Sequence, residues 1–155
     1  ALAGVLVAGL VGWRFLDLRF AEAEAATLAS HTDELTYDEH LPWVAFSEQT
    51  VSDLDGRMVF VDFTADWCLT CKVNERTVLE TETVRSEMKR RDVVPLKADW
   101  TRRDEVITRW LRNNGRAGVP MYLVIPADRS RAPILLPEVI TPSMVTEALA
   151  AADES

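Results

Sequence analysis

The spacing of apolar positions changes period several times between Trp43 and Ala150, and each change marks an element. Met58 to Phe63 is almost continuously apolar and β-favouring, which predicts a central strand covered on both faces. Val93 to Ala98 and Met121 to Ile125 predict a second and a third strand. Ile134 to Leu136 predicts a short fourth, returning as a hairpin after the turn-rich Pro126 to Pro133. Between the strands the period lengthens. Val106, Ile107, Trp110 and Leu111 form one stripe of an amphipathic helix over Arg103 to Asn113, closed by Asn114-Gly115. Met144, Val145, Ala148 and Leu149 repeat that stripe after Thr141-Pro142, where proline suits a helix start. Ser47 is placed to cap a short helix through Leu54 that Gly56 ends, and Trp43 to Phe46 is an apolar stretch suited to covering one edge of the core. Another helix runs from about Cys68 to Leu79 and resumes after a bend, from about Thr81 to Arg90. The order β-α-β-α-β-β-α predicts an α/β fold with a mixed central sheet covered by helices on both faces.

The first forty residues follow a different pattern. Ala1 to Trp13 is an uncharged apolar run that ends at Arg14. A spanning helix needs roughly 20 apolar residues, so residues 1–16 fit the end of a transmembrane helix, with Trp13 at the interface. A signal-peptide core is the competing reading, but here the basic flank follows the apolar run and no small-residue cleavage pattern stands out. Residues 17–42 read as an extension and linker. Ala21 to Ala26 favours helix without offering an apolar face, and His31 to His40 is polar and acidic. The folded domain is then expected over 43–155.

Composition narrows the function. With 25 acidic against 17 basic residues the net charge is -8, which argues against nucleic acid as a partner. The two histidines both lie in the polar linker, so with only two cysteines the ligand count for a metal site is poor, and none is expected. Two cysteines are also too few for a disulfide framework. They stand three apart in Trp67-Cys68-Leu69-Thr70-Cys71-Lys72, directly after the central strand. Such a pair suits redox exchange, half a zinc site, or two passive small residues.

The flanking residues resemble the thioredoxin fold family. Val61 to Lys72 is similar to its active-site strand and helix start, and Gly118-Val119-Pro120 to the loop whose cis-proline packs against the redox pair. The resemblance covers about Ser47 to Ala150. Within that family the chain is most similar to the C-terminal thioredoxin-like domain of DsbD-type transmembrane thiol-disulfide interchange proteins. This likeness rests on Phe63-Thr64-Ala65-Asp66-Trp67-Cys68, Leu96-Lys97-Ala98-Asp99-Trp100-Thr101 and Gly115 to Pro120.

Cys68 at a helix start meets unpaired backbone N–H groups that stabilise a thiolate, which makes it the nucleophile, exposed, with Cys71 behind it as the resolving thiol. Asp62 interrupts the apolar strand, and a lone carboxylate there costs several kcal/mol unless paired or protonated. The resemblance implies a buried proton acceptor for Cys71, whereas a strand-end Asp reaching water is the plainer account. Glu75, at i+4 from Cys71 and i+7 from Cys68, is similar in position to an active-site acid of the DsbD type, or is a solvated Glu pairing with Lys72. Trp67 reads as part of an apolar docking rim or as a core tryptophan. The resemblance implies a cis Val119-Pro120 bond, which presents the Val119 backbone to an extended substrate segment; a trans proline merely starts the strand. Leu69-Thr70 replaces the Gly-Pro of ordinary thioredoxin, and Met121 its common Thr, which leaves potential and partner choice open.

The resemblance therefore implies a protein-disulfide reductase with no cofactor beyond a redox-active Cys68-Cys71 disulfide. Its donor is a membrane domain of the same or a partner protein, its acceptors are periplasmic thiol-disulfide proteins, and its site is the bacterial inner membrane with the soluble domain facing the periplasm. The alternatives are a single-anchor reductase for cytochrome c maturation, distinguished by what precedes Ala1, and a non-catalytic binding module.

Overall fold

The computed structural model describes residues 35–154. The apolar run 1–16, the helix-favouring stretch from Asp17 and His31 lie outside the described residues. Among the described residues no helix is long and apolar enough to cross a membrane.

Five strands form one sheet in the order β1-β3-β2-β4-β5. They are β1 (Val44–Ala45), β2 (Val59–Thr64), β3 (Val94–Asp99), β4 (Met121–Ile125) and β5 (Ile134–Leu136). β1, β3 and β2 run parallel, while β4 pairs antiparallel with β2 and β5 antiparallel with β4. β2 lies at the centre, and all six of its residues are buried. Its period-2 alternation divides the core. Val59, Val61 and Phe63 face α1 (Glu48–Asp53) and α4 (Glu105–Asn113), where Leu54, Ile107 and Leu111 cover them. Phe60 faces the opposite layer with Tyr122 and Val124, under α2 (Leu69–Asn74), the π turn Glu75–Leu79, α3 (Glu82–Arg90) and α5 (Pro142–Asp153). Each fully buried Phe or Leu contributes roughly 1.5–3 kcal/mol, so both layers are needed to hold β2 dry.

The helix limits follow local chemistry. Ser47 Oγ accepts from Thr50 N–H at 2.9 Å, and Gly56 leaves α1 at φ +84, a left-handed turn that suits glycine. α4 starts at Glu105, two residues later than its stripe suggests. Arg103 sits at φ +56, and Asp104 caps the helix by accepting from Val106 N–H at 2.9 Å and Ile107 N–H at 3.0 Å. In α5 the buried set is Val145, Ala148, Leu149 and Ala152, an i, i+3, i+4, i+7 stripe that leaves Met144 exposed rather than in the core.

The expected linker gives way to structure well before residue 43. Tyr37 and Leu41 are buried in the core with Leu35 packed beside them, and Tyr37 Oη donates to the Val93 carbonyl. This strap is pinned by Glu80, whose carboxylate accepts from Leu41 N–H at 3.1 Å and from Trp43 Nε1 at 2.9 Å. His40, exposed as expected, lies 3.4 Å from the same carboxylate. The strap leads into β1, the edge strand that the apolar stretch Trp43 to Phe46 becomes.

Candidate active site

The chain leaves β2 at Thr64 and enters α2 five residues later, and the connection positions the cysteine pair. Cys68 N–H donates to the Ala65 carbonyl at 3.0 Å, and Cys68 is the N-cap residue of α2. Its Sγ accepts from Cys71 N–H at 3.2 Å, the contact that lowers the energy of negative charge on that sulfur. Cys68 and Cys71 form a disulfide. Cys71 is wholly buried, and Cys68 keeps only 7% of its surface, less than a helix-start position suggests. Ala65 and Val119 pack against the pair and account for the difference. The Val119-Pro120 peptide is cis.

Three large apolar side chains are exposed on the segment that carries the pair. Trp67 is 53% exposed, Leu69 78% and Val73 50%. Trp67 is therefore no core residue. Its Nε1 donates to the Thr101 carbonyl at 3.2 Å, its ring lies 5.9 Å from that of Trp100, and the Arg103 guanidinium covers both rings at 5.7 and 5.2 Å. A Cβ at Gly118 would meet the Trp100 ring at 3.4 Å, so the bare backbone there lets the cis-proline loop approach.

Beneath lies a polar group facing the layer of α2. Asp62 is completely buried, and neither carboxylate oxygen accepts a hydrogen bond from any described residue. Burial first, and then the negative charge of Glu75, push its pKa up to about 7, opposed by Lys97 and Lys72. The strand-end account, an Asp reaching water, does not hold. Glu75 is half of each alternative. It pairs with Lys72 at 3.4 Å, but it is also drawn inward, accepting from Thr64 Oγ1 at 2.7 Å and lying 3.5 Å from Lys97 Nζ.

A family model described as thioredoxin-like matches residues 43–127. The chain belongs to the thioredoxin-like family. This thioredoxin-like domain is 35% identical over 79 residues to the thiol:disulfide interchange protein DsbD of Ralstonia nicotianae, a match covering 51% of this chain and 13% of that relative's length. Among solved structures, the C-terminal domain of Neisseria meningitidis DsbD aligns over 71% of this chain and all of its own. The TM-score is 0.56 for the reduced form at 17% identity and 0.53 for the oxidised form at 22%. A thioredoxin from Thermus thermophilus aligns with a TM-score of 0.55 at 18% identity, over 70% of this chain and 84% of its own. These likenesses show the thioredoxin-like fold, and in this chain its cysteine pair is the Cys68-Cys71 disulfide.

Several residues of this thioredoxin-like site escaped the sequence reading. Thr64 lies two residues beyond Asp62, so the strand period already set both on one face. Lys97 is the one charge inside the apolar stretch Val93 to Ala98, and sheet register places it opposite Asp62. Asn74 is buried, donating to Tyr122 Oη at 2.9 Å and the Glu138 carbonyl at 2.8 Å, and so ties α2 to β4 and the loop after β5. No local signal marks Asn74, because both partners are distant in sequence.

Proposed function

We propose that this domain is a thiol-disulfide oxidoreductase that relays electrons from a membrane domain to disulfides of periplasmic proteins. The observation that carries the reading is the Cys68-Cys71 disulfide at the start of α2, with Val119 of the cis-proline loop packed against it. The printed name of the Ralstonia relative supports the same activity, and the likeness to DsbD-type proteins supports a place at the bacterial inner membrane. The disulfide also disfavours a non-catalytic binding module.

In the reduced protein the Cys68 thiolate attacks one sulfur of a partner disulfide. A mixed disulfide forms, and the other partner sulfur leaves as a thiolate. Cys71 then passes its proton to the Asp62 carboxylate and attacks Cys68 Sγ. The Cys68-Cys71 bond forms, the mixed disulfide breaks, and the second partner sulfur leaves and takes up a proton. Two electrons have moved to the partner, and a dithiol donor restores the pair by the reverse sequence. A raised pKa suits Asp62 to this proton transfer, because the acceptor is best matched near the working pH. Burial does most to raise it and the negative charge of Glu75 adds to it, while Trp67 and Val119 form the contact surface, the buried cis Pro120 setting the turn from which the Val119 backbone offers strand-like hydrogen bonds.

The test is covalent trapping. Cys71→Ala is expected to accumulate mixed disulfides through Cys68, whereas Cys68→Ala accumulates none. Failure of both folded variants to trap partners refutes the exchange cycle.

A further inference from the structure

Every element packed around Asp62 presents a polar or charged group to it. Lys97 comes from β3, Tyr122 from β4, and Lys72 and Glu75 from α2 and the π turn. Lys72 has further carboxylate company, with Asp66 at 3.9 Å. Lys97 is different, because besides a carboxylate its ammonium meets an aromatic ring carried by the strap. It lies 3.5 Å from Glu75 Oε2 and 4.6 Å from the centroid of the Trp43 ring.

Trp43 is itself fixed. It is the last residue of the strap before β1, and its Nε1 donates to Glu80. Glu80 closes the π turn that Glu75 opens, its N–H donating to the Glu75 carbonyl at 2.9 Å. The backbone repeats the attachment, since Ala45 is the register partner of Lys97 and Phe46 N–H donates to the Lys97 carbonyl at 3.0 Å. A lysine side chain is flexible and its ammonium strongly hydrated, so without a second contact it turns toward water. The face of an indole ring is an attractive seat for such a cation.

We infer that Trp43 is a positioning residue for the dithiol chemistry: its ring holds the Lys97 ammonium beside Glu75 and so sets the charge that the Asp62 carboxyl meets. The inference rests on the reading of Asp62 as proton acceptor. It makes the strap part of the site at second hand, through Lys97.

The test uses the full-length reduced chain, oxidised in a single turnover by oxidised glutathione from about pH 5 to about pH 9, and reads the pH midpoint of the step that releases glutathione from the mixed disulfide. Lys97 favours the ionised form of Asp62, so losing its hold moves the midpoint upward. Trp43→Leu is expected to raise it by about half a pH unit, roughly threefold in the proton equilibrium. Trp43→Phe, which keeps a ring but not the Glu80 contact, stays near the parent. Lys97→Met moves the midpoint up, and adding Trp43→Leu to it adds nothing further. Fluorinated tryptophans at position 43, which keep shape and Nε1–H while weakening the ring face, raise the midpoint stepwise even if the leucine variant does not fold. A midpoint that moves with Lys97→Met but not with Trp43→Leu or fluorination overturns the inference and spares the Asp62 reading. So does a Trp43→Phe shift as large as that of Trp43→Leu, or additive shifts in the double variant. A midpoint indifferent to Lys97→Met overturns both.

Discussion

Asp62 is the residue at which this molecule gives up stability. Burial and Glu75 push its pKa from an ordinary 3.8 to about 7. Below about pH 4 the carboxyl is protonated in folded and unfolded chains alike, and nothing is lost. Between about pH 4 and 7 the unfolded chain releases the proton while the folded one keeps it, so stability falls as pH rises, levelling at a loss of roughly 4 kcal/mol. Asp62→Asn is therefore expected to raise the unfolding free energy by a few kcal/mol at pH 8 and hardly at all at pH 4, measured by denaturant titration of the oxidised protein. The same variant should slow release from the mixed disulfide on the order of a hundredfold. Gain of stability without loss of rate would leave Asp62 a mere packing defect. The carboxylate was conspicuous in the sequence as the lone charge in an apolar strand. Thr64 and Lys97 were not, because a threonine in a strand is ordinary and the register that sets Lys97 against Asp62 is a property of the sheet.

At the scale of elements, the π turn joins two jobs set five positions apart. Glu75 at its start faces Thr64, Lys72 and Lys97, and Glu80 just beyond it holds the strap. Removing the Glu80 carboxylate leaves Leu41 N–H and Trp43 Nε1 without their acceptor. Glu80→Ala is accordingly expected to cost about 1–2 kcal/mol and to speed amide exchange in residues 35–43 ahead of the sheet. Uniform exchange across the domain would mean the strap is held by Tyr37 and Leu41 instead. The strands and the Ser47 cap were legible because each has a local signature, and the cis proline because Gly118-Val119-Pro120 resembles the loop of the thioredoxin fold family. The strap was not, since Tyr37 and Leu41 are isolated apolar positions in an acidic stretch, and their partners Val93 and Glu80 lie far along the chain.

At the scale of the molecule, the proposed exchange cycle divides chemistry from docking. Trp67, Leu69 and Val73 are exposed apolar side chains on the segment that carries a nearly closed disulfide, so in that cycle partner contact is apolar while the sulfurs stay recessed. Trp67→Ala combined with Leu69→Ser should lower kcat/KM for a folded protein disulfide about tenfold and leave the rate with oxidised glutathione within about twofold. Equal losses on both would assign these side chains to the reaction rather than to docking. The sheet borders bear on the same encounter. β1 has two residues and β5 three, so neither margin exposes a ladder long enough to template another chain. In the proposed relay, a partner chain that reaches the domain along its flanks therefore finds no strand to join, and what reaches Val119 finds a sulfur.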